Sequence, residues 1–378
     1  MKPELECSGF FIFARPAFGM RRDRFSNSFA VKSVCFVRFS ILCLKKILII
    51  SPSWIGDCVM TQPLFRRLKE LHPGCTIDVF APKWSMAVFE RMPEVNEILE
   101  NPFGHGALEL KRRWRVGRDL GRRGYDQVIV LPGSLKSAII ALATGIGKRT
   151  GYVGESRYFL LNDVRRLDKE RLPLMVDRYT ALAHQSQKDF DGCSGFPKFS
   201  IDERQRKISV ETFGLDIGKP VLAFCPGAEF GPAKRWPAKH FSELGKHYSA
   251  AGWQVWLFGS QKDDEIAEEI NRLSDGICVN LCGKTDLSQA MDLLSLADTV
   301  VCNDSGLMHL AAALGRKVVA VYGSSSPTHT PPLSDKAKIV SLHLECSPCF
   351  KRECPLGHTD CLNKLYPEKI VQAVEEAV

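Results

Sequence analysis

Short runs of apolar and β-branched residues alternate along most of the chain with longer segments in which apolar residues recur every three or four positions. The short runs predict buried strands, the longer segments predict amphipathic helices, and their alternation indicates parallel β-α-β units. Strands are predicted in the first half at 46–51, 76–81, 97–100, 126–131 and 149–153. The helices between and after them are predicted at 57–71, 84–91, 107–123, 134–144 and 174–187.

This alternation stops at a polar, Gly-rich segment that ends near Pro197, and then it restarts. Strands follow at 220–225, 253–259, 277–280, 299–303 and 318–322, and helices at 238–250, 262–273, 286–296 and 306–314. We therefore predict an α/β protein with two Rossmann-like doubly wound domains that face each other across a cleft. The predicted domains cover residues 45–188 and 201–378, with a linker at 189–200.

Composition supports a globular chain. Its 378 residues exceed one ordinary core, and 45% hydrophobic with 25% charged residues is a typical balance for such proteins. No apolar stretch approaches the roughly 20 residues that a membrane-spanning helix needs. The sequence therefore excludes disordered, fibrous and polytopic membrane proteins.

Residues 1–44 differ from the rest. They hold seven basic and three acidic side chains, so they supply half of the net charge of +8. Their apolar run at 33–44 is interrupted by Arg38, and no small-residue cleavage site follows it. We expect a disordered extension; a membrane-surface anchor is the alternative.

The loops that follow the predicted strands are the places to look for chemistry, because doubly wound sheets bind ligands at the carboxyl ends of their strands. Asp57 follows the first strand, where it either caps a helix or accepts a proton from a hydroxyl nucleophile. In the loop 226–237, Gly227 allows close approach of the backbone, and Lys234 and Arg235 offer charged donors to a diphosphate. The alternative for this loop is a solvated basic turn.

The segment 304–309 opens a predicted helix, and the start of a helix binds anions through its free N–H groups. Ser305 is placed to cap this helix, while Asp304 is better suited to sugar hydroxyls than to phosphate. His309 lies one turn into the helix, where a structural role and a role in the site are both open. A hydroxyl-rich loop at 323–328 follows the next strand.

The segments 47–57, 226–237, 303–315 and 322–334 resemble, in this order, the corresponding segments of glycosyltransferase family 9, the bacterial lipopolysaccharide heptosyltransferases. The resemblance covers about residues 46–378 and is greatest to the heptosyltransferase II branch. It implies a GT-B fold with an N-terminal acceptor domain and a C-terminal nucleotide-sugar domain. It also implies inverting transfer of L-glycero-D-manno-heptose from ADP-heptose to the first heptose of the inner core, on heptosyl-Kdo2-lipid A.

The resemblance assigns the general base to Asp57, the phosphate-binding lysine to Lys234, and the donor side to Asp304, Ser305, Gly306 and His309. It implies no required cofactor. A heptosyltransferase I or III, a GT-B nucleotide-sugar epimerase and a non-enzymatic binding module remain alternatives. An acidic residue among 263–265 is expected to bind the ribose.

The acceptor that the resemblance implies carries phosphates and carboxylates at the inner membrane. We therefore expect the basic run 111–123, with Arg112, Arg113 and Arg115, to bind this acceptor or the anionic membrane surface; a solvated helix face is the alternative. A cytoplasmic enzyme, peripheral to the inner membrane and without a nucleic-acid partner, is expected.

Fourteen cysteines in a chain of this length suit buried thiols in a reducing cytoplasm better than a disulfide scaffold. Four of them have spacings close to those of metal ligands, namely Cys346, Cys349, Cys354 and Cys361. The two interpretations left open are a structural zinc site and free thiols.

Overall fold

The structure is a computed structural model that describes residues 44–376 except 105 and 193. The predicted N-terminal extension lies outside the described residues, apart from the buried Leu44. None of the described helices is long and apolar enough to cross a bilayer.

Six parallel strands form the first sheet, in the order β3-β2-β1-β4-β5-β6. They are β1 (Lys46–Ile50), β2 (Thr76–Pro82), β3 (Glu97–Asn101), β4 (Gln127–Val130), β5 (Lys148–Tyr152) and β6 (Asp163–Arg165). The central strands are apolar because helices cover both faces of the sheet.

The second sheet also has six parallel strands, in the order β9-β8-β7-β10-β11-β12. They are β7 (Val221–Cys225), β8 (Gln254–Leu257), β9 (Cys278–Asn280), β10 (Thr299–Asn303), β11 (Lys317–Val321) and β12 (Ala337–Val340). This is the strand order of the first sheet repeated, and the prediction of two Rossmann-like sheets in an α/β chain is confirmed. The edge strands β6 and β12 were not predicted, because they are short and contain polar residues.

The helices of the first lobe are α1 (Ile55–Val59), α2 (Gln62–Leu71), α3 (Met86–Glu90), α4 (Leu110–Gly121), α5 (Leu135–Ala143) and α6 (Met175–Thr180). Those of the second lobe are α7 (Glu203–Thr212), α8 (Ala238–Ala250), α9 (Asp264–Leu273), α10 (Leu287–Leu294), α11 (Gly306–Ala313), α12 (Asp360–Asn363) and α13 (Pro367–Glu375). The single helix predicted at 57–71 is two helices. The first ends near Met60, and the second begins with Pro63 in its first turn, where a missing N–H costs nothing.

The two lobes are tied together by buried polar contacts. Arg91 in the first lobe and Asp292 in the second form a buried ion pair of 2.7 Å. The backbone N–H of Phe199 donates to Ala313, and that of Ser200 donates to Arg91, at 2.9 and 3.0 Å. The segment between the sheets is therefore anchored to both lobes at its C-terminal end.

Candidate active site

Each sheet has one point at which the strand order reverses, between β1 and β4 in the first lobe and between β7 and β10 in the second. Ligands of doubly wound folds bind beside such points, at the carboxyl ends of the strands. Asp57 follows β1, Lys234 follows β7 and Asp304 follows β10. The three charged residues singled out in the sequence therefore all lie at switch points.

Asp57 lies in the short helix α1 and is partly buried. The hydroxyl of Tyr179, from α6, donates a hydrogen bond to its carboxylate. Burial raises the pKa of Asp57 to about 6, and the Tyr179 hydrogen bond only partly opposes this rise. A carboxylate with such a pKa is a stronger base than an exposed aspartate and is still ionised at neutral pH.

The start of α1 touches the start of α11 from the other lobe. A Cβ atom added at Gly56 would lie 2.6 Å from Cδ2 of His309, and one added at Gly306 would lie 3.0 Å from Cβ of Ile55. Only glycine allows this approach at residue 56. The two glycines explain why Gly-Asp and Ser-Gly occur in the two loops: they let the lobes meet beside the site.

His309 connects the two halves of the site. Burial lowers its pKa to about 4, although the Asp304 carboxylate raises the value, and the Lys234 ammonium lowers it further. The imidazole is therefore neutral at physiological pH. The His309 ring contacts Gly56 in the first lobe, and it is close enough to Asp304 and Lys234 for both charges to affect its pKa. The ring therefore places the helix of Asp57 next to the charged groups of the second lobe.

Lys234 and Asp304 form an ion pair of 2.5 Å that is largely shielded from solvent. Buried Asn303, the last residue of β10, joins the two loops that carry them. Its side-chain oxygen accepts a hydrogen bond from the backbone N–H of Trp236 at 3.0 Å, and its side-chain nitrogen donates one to the carbonyl oxygen of Pro226 at 2.6 Å. The loops after β7 and β10 are thus fixed to each other before any ligand binds.

Several buried polar atoms of these loops have no hydrogen-bond partner in the described residues, namely Arg235 Nε, Ser305 Oγ, Ser324 Oγ and Ser325 Oγ. Buried polar atoms are nearly always paired in native proteins, so such a group of unpaired donors indicates a missing partner. They lie in the loops after β7, β10 and β11, three neighbouring strands, so these loops share one edge of the second sheet. A ligand rich in acceptor oxygens, such as a diphosphate, would satisfy them.

Gly227 makes room for a carboxylate. A Cβ atom at this position would lie 2.3 Å from Oδ1 of Asp263. The other carboxylate oxygen of Asp263, Oδ2, accepts hydrogen bonds from the backbone N–H and the hydroxyl of Ser260 at 2.9 and 2.8 Å. Asp264 is engaged with Asn280 at 3.0 Å. Of the acidic residues expected to bind a ribose, Asp263 is therefore the one that lies against the loop of Lys234.

The arginines expected to bind an acceptor are placed differently from one another. Arg113 is buried, and its guanidinium donates to the carbonyl oxygens of Leu108 and Ala107, both at 2.7 Å. It holds the loop before α4 and is not presented to a ligand. Arg112 and Arg115 are exposed, and Arg112 is paired with Glu109 at 2.9 Å.

The four C-terminal cysteines, which are Cys346, Cys349, Cys354 and Cys361, line one cavity of about 20 Å³ together with His358. Within the described part of the chain, however, no three His, Cys, Asp or Glu side chains are grouped so that they could hold a metal ion. The four thiols are therefore not arranged as a zinc cage in this structure, and the choice between a structural zinc site and free thiols stays a prediction.

The cysteine-rich segment does contact the loops of the site. Its Arg352 carbonyl accepts from the Ala233 N–H at 3.0 Å, next to Lys234, and its Phe350 N–H donates to the Ser324 carbonyl at 2.7 Å. This segment thus supports the two loops that carry the ammonium and one of the unpaired hydroxyls.

Tyr179 and Asn303 are the residues of the site that the sequence did not reveal. A polar residue closing an apolar strand was a visible signal for Asn303. Tyr179 gave none, because its helix follows β6, a strand that the sequence did not predict, and only the fold brings it to Asp57.

Comparison with known proteins gives consistent results. The model of glycosyltransferase family 9 (heptosyltransferase) matches residues 113–360. The chain is 46% identical to lipopolysaccharide heptosyltransferase 2 of Escherichia coli K12, over 86% of this chain and 97% of that protein. It is 24% identical to lipopolysaccharide heptosyltransferase 1 of Pseudomonas aeruginosa, over 87% of this chain and 97% of that protein.

Among solved structures, the chain resembles that of ADP-heptose lipopolysaccharide heptosyltransferase II of E. coli. The TM-score is 0.79 at 43% identity, and the match covers 88% of this chain and 98% of that one. The predicted GT-B architecture is thereby confirmed.

Proposed function

Because the chain belongs to glycosyltransferase family 9, we propose that it transfers L-glycero-D-manno-heptose from ADP-heptose to the first heptose of the lipopolysaccharide inner core, on heptosyl-Kdo2-lipid A. It is a glycosyltransferase of lipopolysaccharide biosynthesis, and the much closer similarity to heptosyltransferase 2 than to heptosyltransferase 1 favours the second heptose as the one it adds. One observation carries the assignment of the site: a desolvated carboxylate lies beside a loop cluster with an ammonium and unpaired buried donors.

Asp57 is the general base in this proposal. Its carboxylate takes the proton of the acceptor hydroxyl while the hydroxyl oxygen attacks the anomeric carbon of the donor heptose. The bond from that carbon to the β-phosphate oxygen breaks on the opposite side, so the configuration inverts. The proton remains on Asp57, and ADP departs with the electron pair.

The second lobe stabilises the departing ADP. Lys234 and Arg235 offer positive charge, and the start of α11 with the Ser305, Ser324 and Ser325 hydroxyls offers hydrogen-bond donors to the diphosphate. Asp304 orients Lys234 and is placed to accept from a sugar hydroxyl. Asp263 is assigned to the ribose, and the neutral His309 closes the gap between the lobes at Gly56.

These charged groups neutralise the leaving group without a metal, so we propose that transfer requires no cofactor. Dialysis against a chelator should leave the transfer rate unchanged. Metal analysis of the same protein would separately decide whether the cysteine cavity holds a structural ion, and a rate restored only by an added divalent ion would refute the metal-free mechanism.

On the acceptor side, residues 45–188 are assigned to the acceptor domain and residues 201–378 to the donor domain. Exposed Arg112 and Arg115 are assigned to the anionic groups of the acceptor or of the membrane surface that carries it, and buried Arg113 is not. We place the enzyme in the cytoplasm, at the inner membrane where such a glycolipid is embedded.

The decisive experiment is mass spectrometry of the products formed from ADP-heptose with two acceptors, Kdo2-lipid A and heptosyl-Kdo2-lipid A. A gain of one heptose on the second acceptor alone supports the proposal. Transfer to the first acceptor would identify a heptosyltransferase I activity, and release of free epimerised heptose would identify an epimerase.

A further inference from the structure

Helix α4 presents an unusual outer face. Side chains on one side of it pack toward α5, where a Cβ atom added at Gly117 would lie 2.6 Å from the Cβ of Ala143. On the opposite side, spaced three and four residues apart, lie exposed basic side chains around an exposed tryptophan. This outer face consists of Lys111, Trp114, Arg115, Arg118 and Arg122.

Apolar residues extend the outer face at the start of the helix. Leu108 and Leu110 are 55% and 50% exposed, and Trp114 is 46% exposed. Together with the basic side chains, Leu110 and Trp114 line a broad open depression. Side chains of this size cost free energy when they stay in water, so their grouping marks a surface with a partner.

Most of the positive charge on this face is uncompensated. Lys111, Arg115 and Arg118 form no ion pair with any described residue, whereas Arg122 is paired with Asp119 at 3.0 Å. A tryptophan and leucines surrounded by long basic side chains match the chemistry of an anionic bilayer surface. The aromatic ring sits at the headgroup level, and the cations reach the phosphates.

The outer face of α4 also begins at the edge of the first sheet where Asp57 lies. Loop 102–109 leaves β3 at its carboxyl end, the edge of the sheet at which Asp57 also lies. Buried Arg113 fixes this loop, including Leu108, to the helix by two hydrogen bonds of 2.7 Å. A membrane touching the start of α4 would therefore lie at the edge of the sheet that carries Asp57.

We propose that the outer face of α4, with Leu108 and Leu110, docks the enzyme on an anionic phospholipid bilayer. This proposal rests on the proposed function in one respect only, namely that the acceptor is carried by a lipid. The docking surface itself binds phospholipid headgroups and needs no substrate.

The test is co-sedimentation of the full chain with phosphatidylcholine vesicles, with and without phosphatidylglycerol. The double variant Lys111→Glu with Arg118→Glu should bind the anionic vesicles at least about 30-fold more weakly, at about fivefold for each of the two removed positive charges, and repulsion by the two new carboxylates adds to this loss. The matched control, Lys219→Glu with Lys369→Glu, changes two exposed lysines of the second lobe by the same charge and should bind as the wild type does. Equal loss in both variants would overturn the proposal.

Trp114 provides an independent readout, because it should enter the headgroup region. Brominated lipids should quench part of the tryptophan fluorescence of the wild type, and Trp114→Phe should abolish that part. Unchanged quenching in this variant would contradict docking through α4.

Activity separates this proposal from the proposed function. With acceptor embedded in anionic vesicles, the Lys111→Glu, Arg118→Glu variant should show a higher KM, and with a water-soluble deacylated acceptor it should match the wild type. A loss with both acceptors would mean that the face binds the saccharide instead and would overturn the proposal.

Two results for the wild type are also informative. A wild type that binds vesicles but transfers no heptose would refute the proposed function and leave the docking surface intact. A wild-type dimer that this variant dissociates would assign the face to a second copy of the chain and overturn the proposal.

Discussion

The two lobes share one strand order, but they place opposite chemistry at the equivalent position. At the first switch point stands a single carboxylate, Asp57, whose pKa is governed by burial and one tyrosine hydroxyl. At the second lies an ammonium already paired with a carboxylate, among buried donors that have no partner in the part of the chain that the structure describes. In the proposed mechanism, one architecture thus provides a proton acceptor on one side and an anion receptor on the other.

The difference shows how the fold separates two demands of inverting transfer. A base benefits from a raised pKa, which burial beside few polar groups supplies. A leaving diphosphate benefits from fixed positive charge and oriented donors, which the tied loops after β7 and β10 supply. An ion pair between the Lys234 ammonium and Asp57 would lower the pKa of the Asp57 carboxylate and weaken it as a proton acceptor, but Lys234 is paired with Asp304 instead.

Replacing the base should have the largest effect. Asp57→Asn keeps the shape of the side chain but cannot accept the proton, so kcat should fall about 10²–10⁴-fold. ADP-heptose affinity, measured by calorimetry, should stay within a few-fold, because the donor groups lie in the other lobe. A rate within tenfold of the wild type would place the base elsewhere.

The same substitution should not destabilise the protein. Burial raises the pKa of Asp57 in the folded state, so its ionised form opposes folding above pH 6, and this cost is absent below the ordinary pKa near 4. Asp57→Asn should therefore unfold at the same or a higher temperature at pH 7.5, and its advantage should shrink at pH 4. A lower melting temperature at pH 7.5 would attribute part of the activity loss to misfolding.

The next effect concerns the ammonium of the second lobe. Lys234→Met removes the charge that stabilises ADP and leaves the buried Asp304 unpaired, so kcat should fall about 10²–10³-fold and ADP should bind more weakly. The matched control is Lys246→Met, which removes an exposed lysine paired with Asp275 at 2.7 Å and should change neither. If Lys234→Met weakened only acceptor binding, the assignment of the donor lobe would be wrong.

The third largest effect is expected from disrupting the contact between Gly56 of the first lobe and His309 of the second. The added methyl of Gly56→Ala would meet the imidazole of His309, so we expect a loss of about 1–3 kcal/mol in stability and a lower kcat. Gly133→Ala, in the loop after β4 with nothing within 4 Å, serves as the control. Combining Gly56→Ala with His309→Ala should recover the stability, as measured by urea denaturation; no recovery would mean that the clash is elsewhere.

Much of this site was predictable from the sequence. Parallel strands covered on both faces appear as continuous apolar runs, so the strands before Asp57, Lys234 and Asp304 were found, and with them the loops at the sheet edges. The resemblance to family 9 then gave these loops their chemistry.

What escaped prediction depends on contacts between distant segments. Arg113 is one of several basic residues in succession, and its burial follows from two carbonyl groups in the loop before α4. Tyr179 reaches Asp57 only because α6 packs beside α2, the helix that follows α1 in the chain. Local periodicity contains neither contact, and the edge strands β6 and β12 lack the apolar run by which strands are recognised.

The smallest expected effect is a change in the pKa of Asp57 when its hydrogen bond from Tyr179 is removed. Tyr179→Phe removes the hydrogen bond that favours the Asp57 carboxylate, so the pKa of Asp57 should rise further above its value of about 6. The acidic limb of the kcat/KM profile should move up by about one pH unit, since a hydrogen bond to a charged group contributes about 1.5 kcal/mol or more. Above pH 8 the variant and the wild type should converge, because both carboxylates are then ionised. A uniform loss of rate without a shifted limb would show that Tyr179 supports the fold of the site and leaves the basicity of Asp57 unchanged.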